Sequence, residues 1–264
     1  MYMSNMVDRM PNHVTVWMNY LKNAIDEGDY TVLGILIAVI VVVLTFLIFG
    51  VFRQRGNKRR GVLILGSCDA GKTLLFTRLV YGKYKATFTS ITANSGTYTL
   101  PDTGKTLRIL DLPGHERVRL QMLETHKDLT RAIMFVVDSS SVQKDIKDIA
   151  EYLYTVLSDN KISSICPPVL IVCNKQDLTF SKGAKVIQGQ LEKEMNTLRV
   201  TKSAALQDTS AGNNNTYLGK RDRDFTFTDL KPMRVEFAEC SAQGKNSESE
   251  PDLKQVEEWL SRIA

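Results

Sequence analysis

The sequence predicts an α/β domain with a mainly parallel central sheet and flanking helices, preceded by one transmembrane helix. Three observations carry this. From Gly61 to Ile263, apolar runs alternate with helical stretches, the order expected of strands joined by crossover helices. The runs VLIL, AIMFVV and VLIV are apolar throughout, as strands covered on both faces are. Thr31 to Phe52 carries no charged residue, and about 20 such residues span a bilayer as a helix.

Composition sets the frame. The chain has 264 residues, 43% hydrophobic and 24% charged, which suits one or two globular domains. Much of the net charge of +5 gathers at Arg53, Arg55, Lys58, Arg59 and Arg60. That cluster points to a membrane surface, and no direct nucleic-acid binding is expected. The cysteines Cys68, Cys166, Cys173 and Cys240 form no C-x-x-C pair. They are expected to be reduced thiols, with neither a zinc site nor a disulfide framework.

Four segments follow in order. Residues 1–30 are polar with some helical character. Val14, Trp17, Met18, Leu21 and Ile25 fall on one helical face, which suits a lumenal contact helix or a tail lying at an interface. Residues 31–52 are the expected transmembrane helix. They are too long for a typical signal-peptide core, and no small-residue cleavage site follows. Asp26, Glu27 and Asp29 precede this span and the five basic residues follow it. The positive-inside rule then places the N-terminus in the lumen and residue 61 onward in the cytosol. Residues 53–60 read as a basic linker reaching about 26 Å when extended. Residues 61–264 form the folded domain.

Within that domain, strands are predicted at Gly61–Gly66, Gly96–Leu100, Thr106–Leu110, Ala132–Asp138, Val169–Asn174 and Arg234–Glu239. Helices are predicted at Lys72–Tyr81, Lys144–Ser158, Lys185–Leu198 and Asp252–Ile263. Residues 201–229 interrupt the order with Asn213-Asn-Asn215 and Lys220-Arg-Asp-Arg-Asp224. They read as an exposed polar insertion, either a partner-binding loop or a solvated loop. Asn214 begins a glycosylation sequon that cytosolic placement leaves unused.

Four motifs carry chemistry, each after a predicted strand. Gly66-Ser67-Cys68-Asp69-Ala70-Gly71-Lys72-Thr73 fits G-x-x-x-x-G-K-[ST], and Leu74 continues it into a helix. Glycines let backbone N–H groups converge on phosphate oxygens, and the helix N-terminus adds its positive end. Lys72 is placed for the β- and γ-phosphates, and the Thr73 hydroxyl for Mg²⁺. Asp111-Leu-Pro-Gly114 fits D-x-x-G. Asp111 is placed to hold Mg²⁺ through water, and the Gly114 N–H to approach the γ-phosphate.

Asn174-Lys175-Gln176-Asp177 fits N-K-x-D. The Asp177 carboxylate can accept from guanine N1–H and its 2-amino group, whereas adenine offers neither donor. Lys175 can cover one face of the base, and Asn174 can brace the pocket against the phosphate loop. Glu239-Cys240-Ser241-Ala242 supplies backbone N–H groups toward guanine O6, with Ser241 and Ala242 at its tip. The expected cofactors are therefore GTP or GDP and Mg²⁺.

These residues resemble the small GTPase superfamily over roughly 61–264, and DLPGHE with NKQD lies closer to its Arf and Sar branch than to Ras. The membrane span, basic linker, GSCDAGKT, TFTSIT, DLPGHE, QLEKEMNTLRVTKSAA and VEFAECSAQG together resemble the beta-subunit family of the signal recognition particle receptor. That resemblance implies a single-pass endoplasmic reticulum protein, a heterodimer with the receptor's alpha subunit, and GTP-dependent docking for cotranslational targeting.

It also assigns Thr87, Phe88, Thr89 and Ser90 to the first switch. Register with Arf favours Ser90 for Mg²⁺ and the γ-phosphate, with Thr89 the close alternative. Two positions depart from the Ras pattern. Cys68 stands where Ras-like proteins carry glycine, and His115 stands where they carry a water-orienting glutamine. Both imply slow hydrolysis, with His115 either the catalytic water-orienting group or a surface histidine of the second switch. Other readings are an Arf/Sar-like trafficking GTPase with a permanent anchor and a scaffold whose switch is inert. The intact Lys72, Thr73, Asp111, Asn174 and Asp177 weigh against the scaffold.

Overall fold

The computed structural model describes residues 30–56, 61–208, 217–244 and 250–264. The amphipathic face expected at Val14–Ile25 lies outside them. The chain divides into two units, Met1–Asn57 and Lys58–Ala264.

In the first unit, α1 runs from Tyr30 to Gly56. Its 27 residues are about 40 Å long at about 1.5 Å per residue. Side chains are described only at 34, 37–48 and 50, and all are exposed. Among the described residues no helix is long and apolar enough to cross a membrane. The helix also takes in residues 53–56, half of the expected linker. Arg53, Gln54 and Arg55 are good helix formers, so nothing in the sequence stops the helix before Gly56.

The second unit is built on a six-stranded sheet in the order β2-β3-β1-β4-β5-β6. The strands are β1 (Gly61–Gly66), β2 (Asn94–Thr99), β3 (Thr106–Asp111), β4 (Thr130–Asp138), β5 (Val169–Asn174) and β6 (Val235–Glu239). Only the β2–β3 pair is antiparallel. Its register sets Asn94 opposite Asp111, which starts β2 two residues earlier than predicted.

The helices are α2 (Lys72–Tyr81), α3 (Glu116–His126), α4 (Val142–Ser158), α5 (Asn160–Ile165), α6 (Ala184–Asp208) and α7 (Lys254–Ile263). Alternation along β4 divides the core. Ile133, Phe135 and Val137 join Leu153, Leu157, Ile187 and Leu191 of α4 and α6 on one face. Ala132, Met134 and Val136 join Leu75, Phe76, Val256 and Trp259 of α2 and α7 on the other. Successive strand residues point to opposite faces, so β1, β3, β4 and β5 each feed both layers. Every large side chain buried this way contributes about 1.5–3 kcal/mol.

Two helices, α3 and α5, escaped the sequence reading. α3 buries only Arg119 and Leu123, too little to leave an apolar stripe. Arg119 holds it to α4 by two bonds to Asp148, at 3.1 and 2.7 Å, with its guanidinium 4.5 Å from the Tyr152 ring centre. The six residues of α5 are too few to show a period.

The polar insertion also needs correction. Residues 201–208 continue α6. Leu218, Phe225 and Phe227 are buried in the α4/α6 core. Arg199 holds the returning chain by donating to Lys220 O at 2.7 Å and to Arg223 O. Asn213–Asn215, with the sequon at Asn214, lie outside the described residues.

Candidate functional site

Five parallel strands end on one edge of the sheet. The loops after β1, β3, β5 and β6 therefore meet there, as ligand-binding loops of open α/β sheets do. The loop after β1 turns tightly: Asp69 has φ 58 and Gly71 has φ 88. A Cβ on Gly71 would stand 2.3 Å from Asn174 Nδ2, so this left-handed residue also has no room for a side chain. Ala70 is buried and Ser67 is half-buried, while Cys68 and Asp69 are exposed. Leu74 opens the first turn of α2, half-buried.

Lys72 turns back over this loop, and its Nζ donates to Ser67 O at 2.6 Å. Burial pushes its pKa below the ordinary 10.5, opposed by the nearby Asp111 carboxylate. Gly114 closes the same space. A Cβ there would lie 2.4 Å from Lys72 Nζ and 2.6 Å from Gly66 O. Backbone at Gly114 can thus come closer to a ligand held by Lys72 than any side-chain-bearing residue allows.

Three oxygens converge beside Lys72. Thr73 Oγ1 donates to Asp111 Oδ2 at 2.8 Å and lies 3.1 Å from Ser90 Oγ. Asn94 Nδ2 donates to the same Asp111 oxygen at 3.0 Å. Asp111 is fully buried, and its second oxygen, Oδ1, is buried with no partner. Burial raises its pKa above 3.8, against the lowering bonds from Asn94 and Thr73.

A buried carboxylate oxygen left unsatisfied is costly. A hard divalent cation would satisfy it, and hydroxyl and carboxylate oxygens are its preferred ligands. Mg²⁺ therefore fits Thr73, Ser90 and Asp111. Among the described residues no cluster of three His, Cys, Asp or Glu could hold a metal. A single carboxylate suits a cation whose other ligands are water and phosphate. A cavity of ≈ 60 Å³ adjoins, lined by Asp69, Gly71, Lys72, Thr73, Thr87, Phe88, Thr89, Ser90, Leu112, Pro113 and Gly114.

The second half of the site is built by Asn174. Its Nδ2 donates to Ala70 O at 2.9 Å, and its Oδ1 accepts from the Ala242 N–H at 3.1 Å. The Ala242 N–H, expected to face a guanine, is thus engaged within the protein. Asp177 Oδ1 accepts from Ser241 Oγ at 2.6 Å, and Ser241 Oγ accepts from the Gly244 N–H at 2.9 Å.

Lys175 has φ 66, and its Nζ donates to Asp138 Oδ2 at 2.6 Å. Burial raises the Asp138 pKa, but the bonds from Lys175 and Ser140 outweigh it and hold the carboxyl below 3.8. Gln176 fixes the turn by donating to Ser139 Oγ and Lys182 O, both at 2.9 Å.

His115 is exposed and caps α3, its Nδ1 accepting from the Arg117 N–H at 3.3 Å. Sequence reading missed Asn94, Asp138 and Gln176. A lone Asn at a strand start and a strand-end Asp carry no motif, and Gln176 is the open position of N-K-x-D.

Comparison with known proteins agrees with this geometry. The profile of the signal recognition particle receptor beta subunit family matches residues 57–235. The human signal recognition particle receptor subunit beta is 45% identical over 251 residues, covering 94% of this chain and 92% of its own length. The solved structure "The Structure of the Mammalian SRP Receptor" contains a chain 46% identical, with TM-score 0.67, covering 78% of this chain and 100% of that one. A complex from Chaetomium thermophilum described as SRb-GTP/SRX shares the fold at 20% identity and TM-score 0.61, covering 76% and 99%. The chain belongs to the signal recognition particle receptor beta subunit family.

Proposed function

We propose that this chain is the membrane-anchored, GTP-binding subunit that docks the receptor's alpha subunit at the endoplasmic reticulum for cotranslational protein targeting. α1 is the single span. The N-terminus is lumenal, and the domain from Gly61 is cytosolic, as the charges on either side of Thr31–Phe52 favour. One observation carries the switch. Ser90 belongs to an exposed segment, yet its hydroxyl lies 3.1 Å from Thr73 Oγ1, beside the unpartnered Asp111 oxygen. What fills that corner is therefore felt by the segment.

The residues divide the work. Lys72, the loop from Gly66 to Thr73 and the Gly114 backbone hold the phosphates. Asp177 reads the guanine, with Asn174 and Lys175 framing it. Thr73, Ser90 and Asp111 hold Mg²⁺, which supplies positive charge beside the phosphates when bound. A third phosphate adds a partner for Ser90 and for Gly114, so the triphosphate state orders the surface that a partner reads.

Hydrolysis by the isolated chain is slow, near the 10⁻⁴–10⁻² s⁻¹ of GTPases without an added arginine. One ring nitrogen of His115 caps α3 where Ras-like proteins carry a water-orienting glutamine, and Cys68 stands in place of their glycine. The complex of the thermophile relative, described with GTP and SRX, supports the docking reading. An Arf/Sar-like trafficking role with a permanent anchor is the second reading, and it predicts binding of coat or tether proteins instead.

The test is affinity for the alpha subunit with the chain loaded with GTP or GDP, alongside single-turnover hydrolysis. Binding at least tenfold tighter with GTP is expected, and equal affinities overturn the switch.

A further inference from the structure

We propose that Arg78 is a positioning residue for base recognition: it grips the 241–244 loop from outside and so sets discrimination at the 6-position of the purine. The proposal rests on the guanine-nucleotide reading above. Arg78 stands in the last turn of α2. Its Nε donates to Ala242 O at 3.1 Å, and its Nη2 donates to Gln243 O at 3.3 Å. One planar fork therefore holds two successive carbonyls, which a lysine cannot do. The Tyr84 ring centre lies 5.4 Å from the guanidinium carbon and steadies its face.

A trans peptide directs its N–H opposite its C=O. Fixing the carbonyls of Ala242 and Gln243 toward Arg78 turns the N–H groups of Gln243 and Gly244 to the other side of the loop. There the Gly244 N–H meets Ser241 Oγ at 2.9 Å. Ser241 is anchored apart from Arg78, its backbone paired in both directions with Asp252 at 3.0 Å and its hydroxyl donating to Asp177, while the Ala242 N–H leads inward to Asn174. The loop is clamped between Arg78 outside and the Asn174–Asp177 turn inside.

Two parts of the base are thereby read by separate means. Asp177 reads N1–H and the 2-amino group from its own turn after β5. The 6-oxygen needs a backbone N–H from the 241–244 loop, whose peptide planes Arg78 orients. Loss of Arg78 should weaken recognition at the 6-position and spare recognition at the 2-position.

The experiment uses the full chain in detergent and measures affinity for three triphosphates. GTP is the reference. The 6-thioguanosine analogue keeps N1–H and the 2-amino group but replaces the 6-oxygen by sulfur, a weak acceptor. Inosine triphosphate keeps the 6-oxygen and lacks the 2-amino group. In Arg78→Ala, the preference for GTP over the 6-thio analogue should fall by about two- to tenfold, the worth of one neutral hydrogen bond. The preference for GTP over inosine triphosphate should stay unchanged. Arg78→Lys keeps the aliphatic stem but gathers its donors on one nitrogen without the planar fork, and should fall between. Equal loss of both preferences, or loss of neither, overturns the role of Arg78 while the guanine reading stands. A wild-type chain that binds GTP no better than ATP overturns both.

Discussion

The corner that would hold phosphates and base differs sharply from the segment beside it. Lys72, Asp111 and Asn174 are buried, and bonds of 2.6–3.1 Å hold Lys72 to its own loop at Ser67, Asp111 to Thr73, and Asn174 to Ala70 and Ala242. Residues 84–90 form neither helix nor strand. Phe88 is 89% exposed and Ile91 77%, and Ser90 Oγ to Thr73 Oγ1 joins the segment to the corner. The first region is held by its own internal bonds, and a ligand bound there has little ordering to impose. The second presents large apolar side chains to water, which a partner can cover. The rigid corner and the exposed segment meet at the Ser90 hydroxyl and at Tyr84 against Arg78.

The largest effect should come from Asp177→Asn, which attacks the rigid corner. Two charge-assisted bonds to guanine are lost, and GTP affinity should fall by about 10²–10⁴-fold. Xanthosine triphosphate, whose 2-oxo group needs a donor, should gain. Competition binding with both nucleotides checks this. Unchanged GTP affinity with no gain for xanthosine would mean that the turn after β5 is rigid for some other purpose.

A middling effect is expected at the junction of the two regions. Asn94→Ala frees Asp111 Oδ2 from one of its two partners and lets the carboxylate rotate. Partners of this kind are worth about 10–100-fold in metal affinity. Magnesium titration of GDP release should show that loss, while GDP affinity in chelator stays the same. If Mg²⁺ dependence is unaltered, the metal corner is not oriented from β2.

The smallest effect is a pH dependence of the metal-free domain. Asp111 has a folded pKa raised above 3.8, chiefly by burial. Between the two values the unfolded chain has released a proton that the folded chain retains. Stability from this group therefore falls as pH rises from 3.8 through the folded value. Urea unfolding should show that slope in the wild type and a shallower one in Asp111→Asn. Saturating Mg²⁺ with GDP should remove it. Identical slopes in both proteins would place the cost of burial elsewhere.

Much of this was legible in the sequence because the signals are local. The boundaries of β1, α2 and β5 follow from an unbroken apolar run, a glycine turn and a Gly82 cap, all within neighbouring residues. That the four motifs meet at one edge of the sheet was legible for the same reason, since each directly follows a strand. What escaped depends on distant partners. α3 is held by Arg119 against Asp148 of α4, a contact that no periodicity reveals. Leu218, Phe225 and Phe227 lie in a polar stretch, and their cover comes from the distant core. Asn94 gains meaning only from the antiparallel register that sets it opposite Asp111. The engagement of the Ala242 N–H with Asn174 is likewise a property of two loops meeting, not of either alone.

Asn174 concentrates that meeting in one amide. Its nitrogen serves the phosphate side at Ala70, and its oxygen serves the base side at Ala242. In the language of reliability, two subsystems share a component that has no backup. Aspartate has the shape but no donor for Ala70 O; leucine has the bulk but neither group; glutamine has both groups on a longer stem. With Gly71 packed so close that a Cβ would lie 2.3 Å from this nitrogen, the space admits no longer replacement. Whatever freedom the surrounding sequence has to drift, this position has almost none, because any change fails two recognitions in a single step.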